Sequence, residues 1–440
     1  MKLTDAQTKA MAEIMASFRS GSINRHLLTG YAGSGKTTLM RALCTDLKKQ
    51  SQNVVVSAPT HKAVSVLKGK VPGNVPCVTV QSLLSLEVRN EKHKTVLRRS
   101  RRPREINADM VVIDECSMLS EELMGWINRL LPGVFVLFLG DPAQLPPVGE
   151  EKSLSFDVMP CSHLDTIIRQ AEGNPILAAA TDLRQQQESE AVSFAWAQSD
   201  NQGGLGMYCP ANHAADGWLQ KAFLSPAFQT DNDEFRYICW TNKRVAEINS
   251  KVRRWRYGQE ADLLPFLPGE RAIARSPVWQ GEGQAKRQVI TTNEEVAVID
   301  IMKSHHVVAF KTAGEFPTWR AEIPSWKVTL QPSSDGAEPI IAHMVRDQAA
   351  LERVIERLKQ EAVIEKERWY QLFLFKGTLL SLQHVYAMTS HTAQGSTFRN
   401  VFVDVGDIRR RERSNKKEML QLFYVALTRA SEKVILLGRS

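Results

Sequence analysis

Residues 30–37 carry the most specific chemical signature in the chain. They read Gly30-Tyr31-Ala32-Gly33-Ser34-Gly35-Lys36-Thr37, which matches the phosphate-binding loop G-x-x-x-x-G-K-[ST]. In such a loop the glycines turn backbone N–H groups toward phosphates, the lysine reaches the β- and γ-phosphates, and the threonine hydroxyl binds Mg²⁺. An apolar strand pattern precedes the loop and a helical pattern follows it, as the motif requires. The pattern predicts a site for ATP and Mg²⁺.

Asp114 and Glu115 directly follow the apolar stretch Met110–Ile113. A carboxylate at the end of a buried strand can ligate Mg²⁺, and a second carboxylate beside it can activate a water. An acidic turn without a chemical role is the alternative, but that alternative loses weight beside a phosphate loop. We expect the protein to hydrolyse ATP. These two motifs leave open which process the energy of hydrolysis drives.

Two series of strand and helix patterns position these motifs. Apolar runs of strand length lie at 26–29, 54–58, 110–113 and 134–139, and again at 237–240, 382–389, 401–405 and 433–437. Alternation of such strands with helices predicts two mostly parallel sheets. Residues 257–345 are rich in proline and β-patterns, which indicates an inserted β-barrel. Residues 346–369 read as one amphipathic helix.

The composition excludes several classes of protein. The chain has 440 residues, a net charge of +8 and 43% hydrophobic residues, which is ordinary for a globular protein of about three domains. No apolar run approaches the roughly 18 residues of a membrane span, and the N-terminus lacks a signal sequence. The six cysteines are scattered, so neither a zinc site nor a disulfide framework is indicated. We expect a cytoplasmic protein, and the basic charge is compatible with nucleic acid.

Four further motifs narrow the class. They are Ala58-Pro59-Thr60-His61-Lys62-Ala63, Gly140-Asp141-Pro142-Ala143-Gln144-Leu145-Pro146-Pro147, His391-Thr392-Ala393-Gln394-Gly395-Ser396 and Tyr424-Val425-Ala426-Leu427-Thr428-Arg429-Ala430. In this order, together with the phosphate loop, they resemble the superfamily 1 helicases. The resemblance is strongest to the 5′-to-3′ branch, superfamily 1B, which includes RecD-like and phage Dda-like enzymes, and it covers nearly the whole chain.

The resemblance implies an ATP site between two RecA-like domains. Lys36, Asp114, Glu115, Gln144, Arg169 and Arg429 are the implied catalytic residues, with Thr37 and Asp114 on the metal. The implied nucleotide-binding residues are Gln7, Gly30, Ala32, Gly33, Ser34, Gly35, Lys36, Thr37, Thr38 and Gly395. Gln7 is expected to contact the adenine and Gln144 to sense the γ-phosphate. Arg169 and Arg429 are expected to reach that phosphate from the second-domain side.

Single-stranded DNA and fork junctions are the implied partners. The implied DNA-binding residues are Pro59, Thr60, His61, Thr79, Gln81, Ser82, Val96, Leu97, Arg98, Thr241, Asn242, Thr389 and His391. Short polar side chains at strand ends can hold phosphates without reading bases. Trp240 could stack on a base, although a buried tryptophan within the strand is the favoured interpretation. We expect a protein that can act as a monomer, with replication or recombination proteins as candidate partners.

The resemblance also implies domain boundaries. They are a RecA-like domain 1A at 1–85 and 106–175, a basic hairpin 1B (the pin) at 86–105, a RecA-like domain 2A at 176–256 and 382–440, and an SH3-like domain 2B at 257–381 with a helical arm at 346–369. The hairpin segment carries many arginines but no Phe, Tyr or Trp, whereas Dda-like enzymes place an aromatic residue near the pin tip. This absence leaves open, as an alternative, a translocase that strips proteins from DNA with little unwinding. A second alternative is an ATP-gated clamp on single strands with negligible turnover, against which the intact Glu115, Gln144 and Arg429 speak.

Overall fold

The computed structural model describes residues 3–438 except 92–93, 101, 166–173, 188, 190–205, 282–286, 311–315 and 333–336. The described chain divides into two compact units. The first comprises Met1–Arg89, Leu97–Val252 and Tyr386–Ser440, and the second comprises Asn90–Val96 and Arg253–Val385.

Helices and strands alternate over most of the first unit, in agreement with the sequence pattern. The helices of the described chain are α1 Asp5–Ser20, α2 Lys36–Lys49, α3 His61–Lys68, α4 Val80–Leu83, α5 Glu121–Leu130, α6 Pro175–Gln187, α7 Ala215–Phe223, α8 Pro226–Thr230, α9 Asn242–Tyr257, α10 Glu260–Leu263, α11 Gln348–Ile364, α12 Glu367–Lys376, α13 Ser390–Ala393, α14 Val405–Arg409 and α15 Lys416–Thr428. The described strands of the first half are β1 Arg25–Gly30, β2 Val54–Ala58, β3 Cys77–Thr79, β4 Leu86–Glu91, β5 Lys94–Arg99, β6 Met110–Ile113, β7 Phe135–Gly140, β8 Cys161–Leu164, β9 Gly206–Tyr208 and β10 Phe235–Cys239. Those of the second half are β11 Arg271–Ala274, β12 Val278–Gln280, β13 Arg287–Ile290, β14 Glu295–Phe310, β15 Trp319–Pro332, β16 Ile340–Val345, β17 Leu379–Leu380, β18 Leu382–His384, β19 Ala387–Thr389, β20 Phe398–Asp404 and β21 Ala430–Leu437.

The first unit contains two parallel sheets. The first has the strand order β3-β2-β6-β7-β1-β8, and the second has the order β19-β10-β20-β21-β9. Every strand pair recorded in these sheets is parallel. The central strand β6 is buried along its whole length, as its uninterrupted apolar sequence predicts. The prediction of two mostly parallel sheets is confirmed.

Helix α15 is enclosed on all sides. Its residues from Met419 to Leu427 are all buried, because the sequence is apolar around the whole helix instead of along one stripe. Two of the enclosed side chains, Gln421 and Tyr424, are polar and must find hydrogen-bond partners inside the protein. This helix therefore carries polar groups into the interior of the first unit.

The second unit is built mainly from antiparallel strands. Its main sheet has the order β17-β16-β15-β14-β11-β18, with a parallel pair at β16–β17, and β12 pairs with β13. Residues 295–301 and 306–310 belong to one long strand, β14. The predicted run 382–389 is divided, because β18 pairs with β11 in this unit while β19 pairs with β10 in the first. The β-rich character is confirmed, and the SH3-like assignment stays a prediction.

The prediction of one continuous helix over 346–369 is wrong. Helix α11 ends at Ile364, Glu365 has extended backbone angles, and α12 begins at Glu367. No glycine or proline marks this break in the sequence. The break accompanies a buried ion pair, because the fully buried guanidinium of Arg368 on α12 lies 2.9 Å from the Glu361 carboxylate on α11. A tertiary contact thus overrides a helical pattern that is locally uninterrupted.

The apolar stripe of α11 stabilises the second unit. Leu358 is fully buried and packs in a cluster with Phe310, Ile323 and Phe375. We expect Leu358→Ala to lower the free energy of unfolding of this unit by about 2–5 kcal/mol, because it leaves a cavity. Lys359→Ala, at an exposed neighbouring position, should change it by less than about 0.5 kcal/mol. Urea denaturation of the full chain compares the two, and equal effects would contradict the packing described.

No described helix is both long and apolar enough to cross a membrane.

Candidate functional site

The phosphate loop connects β1 to α2. Gly33 and Gly35 have φ angles of 86° and 85°, a left-handed conformation that a residue with a Cβ adopts at a cost. A Cβ on Gly30 would lie 2.5 Å from the Ser34 hydroxyl oxygen, so the loop also needs glycine there for close packing. The Lys36 ammonium donates hydrogen bonds to the carbonyl oxygens of Gly30 and of Tyr31, the second at 3.1 Å. The loop therefore holds its lysine against its own backbone.

A cavity of 740 Å³ opens beside this loop. The predicted residues that line it are Gln7, Ala32, Gly33, Gly35, Lys36, Thr37, Thr38, Asp114, Glu115, Gln144, Gly395 and Arg429. Gly30 and Ser34 are part of the loop but do not line the cavity. Arg169 lies outside the described residues. The structure thus brings together, at one cavity, residues that are more than 400 positions apart in the sequence.

Gln7 connects the first helix to the phosphate loop. Its side-chain amide donates to the Gly35 carbonyl oxygen at 3.1 Å, and its Oε1 accepts from the Thr4 backbone N–H at 3.0 Å. The second bond belongs to a capping box at the start of α1, which satisfies backbone N–H groups that the helix leaves free. Gln7 lines the cavity near Gly35, and its contact with adenine stays a prediction.

Asp114 and Glu115 occupy the turn after β6. The Asp114 carboxylate accepts from the Glu115 backbone N–H at 2.9 Å, and Glu115 has a positive φ of 54°. That conformation is uncommon outside glycine and is found at functional sites. Burial and the neighbouring Asp114 raise the pKa of Glu115, whereas Arg429 and Lys36 lower it. Glu115 is therefore a carboxylate with raised proton affinity that faces two cationic side chains.

The segment Gly140–Pro147 (the sensor loop) contacts helix α15, which directly precedes strand β21 of the second parallel sheet. The Tyr424 hydroxyl donates to the Asp141 carboxylate at 2.5 Å and accepts from the Ala32 backbone N–H at 3.2 Å. Asp141 and Tyr424 are both buried. Burial and the Asp141 carboxylate raise the pKa of Tyr424 far above its usual value, so the phenol stays protonated and keeps donating.

Three consecutive carbonyl oxygens of the sensor loop each accept from a glutamine side chain. Gln187 donates to Ala143 at 3.2 Å, Gln421 to Gln144 at 3.1 Å, and Gln394 to Leu145 at 3.0 Å. These glutamines come from three separate parts of the chain, at the end of α6, in α15 and after α13. The sensor loop is therefore fixed to elements of the second sheet through its backbone.

Gln144 of the sensor loop lines the cavity and keeps a buried oxygen without a hydrogen-bond partner among the described residues. The Gln144 Oε1 atom is buried and has no partner among the described residues, although a buried polar atom normally has one. Arg429 is also buried, and its guanidinium donates to the Ser396 carbonyl oxygen at 3.1 Å. Gln144 and Arg429 therefore line the same cavity, and the structure holds the Arg429 cation in place.

The oxygen ligands at the cavity fit Mg²⁺. Mg²⁺ binds through one or two protein oxygens together with substrate phosphates and waters, and the Thr37 hydroxyl and Asp114 carboxylate both line the cavity. No group of three or more His, Cys, Asp or Glu residues suited to a metal occurs within the described ranges. Thr37 and Asp114 are the residues that would hold the ion.

Sequence reasoning missed three residues that line the cavity, Tyr31, Arg184 and Tyr424, and the neighbouring Gln421. Tyr424 and Gln421 lie in or beside a quoted motif, but nothing in the motif indicates that they would contact Asp141 and the sensor loop. Tyr31 occupies a variable position of the phosphate loop, and Arg184 lies in a helix without any recognised motif. Only the folded structure shows the contacts of these residues. The one hint in the sequence is a polar residue within an otherwise apolar helix, as in α15.

The residues predicted to bind DNA include four threonines with one shared role. Thr60, Thr79, Thr241 and Thr389 each follow or end a parallel strand, and the hydroxyl of each accepts from a backbone N–H in the first turn of the next helix. Strands β2 and β3 are adjacent in one sheet, and β10 and β19 are adjacent in the other. Each sheet therefore ends, at corresponding neighbouring strands, in a pair of capped helix starts. Backbone N–H groups at such positions can bind phosphates.

The remaining predicted DNA residues differ in environment. Pro59, His61, Gln81, Ser82 and Asn242 are exposed or half-buried, as are His391, Val96 and Leu97. The Leu97 backbone N–H donates to Glu122 at 2.9 Å, which connects the hairpin strand β5 to α5. Arg98 and Arg99 are exposed.

The interpretation of Trp240 as a buried strand residue is wrong. Strand β10 ends at Cys239, and Trp240 is half-buried after it. The Arg411 guanidinium carbon lies 5.6 Å from the centre of the indole ring. The backbone N–H of Trp240 donates to Asp407 at 2.9 Å, so the turn after β10 takes its shape from this carboxylate.

Family models match two parts of the chain. The family model described as AAA domain matches residues 2–202, and the model described as UvrD-like helicase C-terminal domain matches residues 384–437. An uncharacterised protein of Acanthamoeba polyphaga mimivirus is 25% identical over 92% of this chain and 94% of its own length. The ATP-dependent RecD2 DNA helicase of Deinococcus radiodurans is 33% identical over 36% of this chain. That match spans only 21% of RecD2.

The fold matches a solved structure over the full chain. The crystal structure of Bacteroides Pif1 helicase in complex with ADP-AlF3 and ssDNA has a TM-score of 0.51 and 18% identity, and the match covers 100% of this chain and 93% of that one. At this identity the likeness establishes the fold, which is two RecA-like parallel-sheet domains with insertions. The likeness to Dda stays a prediction.

The bond between Tyr424 and Asp141 can be tested by removing one oxygen atom. Tyr424→Phe leaves the buried Asp141 carboxylate with one partner fewer, which costs about 1–3 kcal/mol of stability. Tyr370→Phe, at a residue that is 66% exposed, is the matched control and should be neutral. Thermal unfolding followed by calorimetry gives both values. Equal stability of the two variants would contradict the buried bond.

Proposed function

We propose that this chain is a helicase of superfamily 1B, an ATP-dependent enzyme that moves 5′-to-3′ along a single strand of DNA and separates duplex ahead of it; the matched family models and the RecD2 relative support the proposal. The observation that carries the proposal is the cavity between the phosphate loop and the helix α15. Residues of both RecA-like domains line it, Lys36 and Glu115 from one and Arg429 from the other. A nucleotide bound there would contact both domains at once.

The residues divide the work of hydrolysis. Lys36 would leave its backbone partners for the phosphates, and Thr37 and Asp114 would hold Mg²⁺, which neutralises charge on the phosphate oxygens. Glu115, whose pKa is raised by burial, is placed to accept a proton from the attacking water. Gln144, which lines the same cavity, would sense the γ-phosphate through its side-chain amide. Each role belongs to a side chain that already lines the cavity.

Arg429 would stabilise the charge that spreads over the transferred phosphoryl group. An arginine in this role contributes about 10³–10⁵ in rate in related phosphoryl-transfer enzymes. Its guanidinium is held by the Ser396 and Val425 carbonyl oxygens, so it follows the second domain. The rate of hydrolysis would therefore depend on how closely the second domain approaches the phosphate loop.

The sensor loop provides a route from nucleotide to DNA. Gln394 donates to the Leu145 carbonyl and lies three residues after His391 and five after Thr389, both of which are predicted DNA contacts. A shift of the sensor loop upon loss of the terminal phosphate would therefore move the segment that follows β19. Alternating changes of this kind at the capped helix starts of the two sheets would move the protein along the strand.

The hairpin β4–β5 is the proposed element that separates the duplex. Arg98, Arg99, Arg102 and Arg104 are exposed and can contact phosphates, an interaction that weakens with salt. The absence of Phe, Tyr and Trp from residues 86–105 favours, as the second candidate function, a translocase that displaces proteins and unwinds little. The two candidates share the ATP site and differ in this hairpin.

Duplexes with a single tail test polarity and unwinding together. With ATP and Mg²⁺ present, the protein should separate a duplex that has only a 5′ tail and leave one that has only a 3′ tail intact. Separation from the 3′ tail would contradict the proposed direction. If neither substrate is unwound while single strands still stimulate ATP hydrolysis, the translocase is supported instead.

Glu115→Gln tests the assignment of the base. The variant keeps the size of the side chain but cannot accept the proton, so ATP should still bind while hydrolysis falls by at least about 10²-fold. Glu122→Gln, on the exposed surface of α5, serves as the control of equal charge change. Phosphate release and equilibrium nucleotide binding are measured for both variants. Normal hydrolysis by Glu115→Gln would show that the catalytic assignment is wrong.

The hairpin arginines are tested by their salt dependence. Replacing Arg98, Arg99 and Arg102 by Ala should reduce unwinding more than DNA-stimulated ATP hydrolysis, and it should flatten the loss of unwinding with rising salt. The control replaces the exposed Arg254, Arg320 and Arg353, which removes the same charge elsewhere. Equal losses of unwinding and hydrolysis would exclude a specific role of the hairpin in strand separation.

A further inference from the structure

Helix α6 presents one stripe of residues to the nucleotide cavity. Ile176, Ala180 and Arg184 line the cavity and lie four residues apart, which places them on one face of the helix. Ile176 and Ala180 form an apolar part of the cavity wall, and Arg184 adds a positive charge. Arg184 belongs to none of the motifs on which the site was predicted.

The Arg184 guanidinium is held in a fixed plane. Its Cζ atom lies 3.6 Å from the centre of the Tyr31 ring, and one of its nitrogens donates to the Thr181 hydroxyl at 2.9 Å. An arginine over an aromatic face is favourable because the ring face is negative. Tyr31 is itself a residue of the phosphate loop, so the Arg184 guanidinium packs directly against that loop.

Arg184 has no carboxylate partner within the described ranges. A half-buried cation that faces a cavity without a counter-ion is unfavourable unless the cavity receives an anion. The guanidinium can make paired, planar hydrogen bonds to phosphate oxygens. An anion in the cavity is therefore the partner that its chemistry favours.

The position of Arg184 indicates which part of the nucleotide it meets. Tyr31, on which the Arg184 guanidinium stacks, directly precedes Ala32, whose backbone N–H donates to the Tyr424 hydroxyl. That hydroxyl also donates to Asp141 of the sensor loop. Gln7, the proposed adenine contact, is bonded to Gly35 at the opposite end of the phosphate loop. Arg184 thus lies on the side of the proposed hydrolysis, away from the base.

We propose that Arg184 binds the terminal phosphate of the nucleotide, with Tyr31 as the platform that orients the guanidinium, so that the site distinguishes ATP from ADP. The proposal rests on the proposed ATPase function and adds a phosphate contact on α6 to the motif arginines. In the ADP state the guanidinium loses this partner and stays stacked on Tyr31. Helix α6, which ends at Gln187 and bonds there to the sensor loop, would therefore respond to the same phosphate.

Nucleotide affinity measured on the full chain tests this role. The probes are ADP and the non-hydrolysable ATP analogue adenylyl imidodiphosphate, each with Mg²⁺ and followed by calorimetric titration. We expect Arg184→Ala to lower the affinity for the ATP analogue by about tenfold or more and to change the affinity for ADP by less than about twofold. Arg184→Lys should recover part of the loss, because it restores the charge without the planar fork. Tyr31→Leu should give a smaller loss with the same selectivity for the analogue.

Controls separate this proposal from the proposed function. Arg254→Ala removes an exposed arginine that pairs with Asp262 at 3.3 Å, and it should leave both affinities unchanged. Arg184→Gln repeats the comparison if the alanine variant unfolds at a lower temperature. If Arg184→Ala lowers the affinities for ADP and for the analogue equally, or lowers neither, the proposed role of Arg184 is wrong, while the proposed ATPase function of the wild-type chain is unaffected. If the wild-type chain binds neither nucleotide, the proposed function itself fails and the role of Arg184 fails with it.

Discussion

A phenol and a carboxylate, both removed from water, meet where the two parallel-sheet domains join. The Tyr424 hydroxyl bonds to Asp141 of the sensor loop and to the backbone of the phosphate loop at Ala32. Neither polar group can be left unpaired in the interior without a cost of about 1–3 kcal/mol. The pair therefore fixes α15 against the sensor loop, and α15 in turn carries Gln421 to that loop and leads directly into Arg429. These contacts hold the two sides of the cavity together.

The sensor loop joins the nucleotide side of the molecule to the predicted DNA side. It exposes Gln144 to the cavity, while its backbone carbonyls accept from glutamines on separate elements, including Gln394 of the segment after β19. Local hydrogen bonds of this kind can transmit a change only if the loop has two arrangements, one for each nucleotide state. The threonine-capped helix starts of both sheets are the places where such a change would reach a bound strand.

The parallel sheets and the cavity residues of the phosphate loop and of the turn after β6 could be predicted because each was encoded locally. The glycines of the phosphate loop, the apolar run before Asp114 and the alternation of elements all depend on neighbours within a few residues. The helix break at Glu365 had no such local signal, since it accompanies the pairing of Arg368 with a carboxylate on another helix. The roles of Tyr424 and Arg184 were equally hidden, because they depend on contacts between distant segments. Trp240 was misplaced by a single residue at a strand end, where patterns are least informative.

The central claim is that nucleotide and single-stranded DNA are coupled through the sensor loop. The most direct measurement is the affinity of the full chain for a single-stranded oligonucleotide in the presence of either ADP or a non-hydrolysable ATP analogue. Coupled sites typically change each other's affinity by about 5–150-fold. We expect the two affinities to differ by at least about fivefold in the wild-type chain and to converge when Gln394 is replaced by Ala. Equal affinities in the wild-type chain would contradict the account.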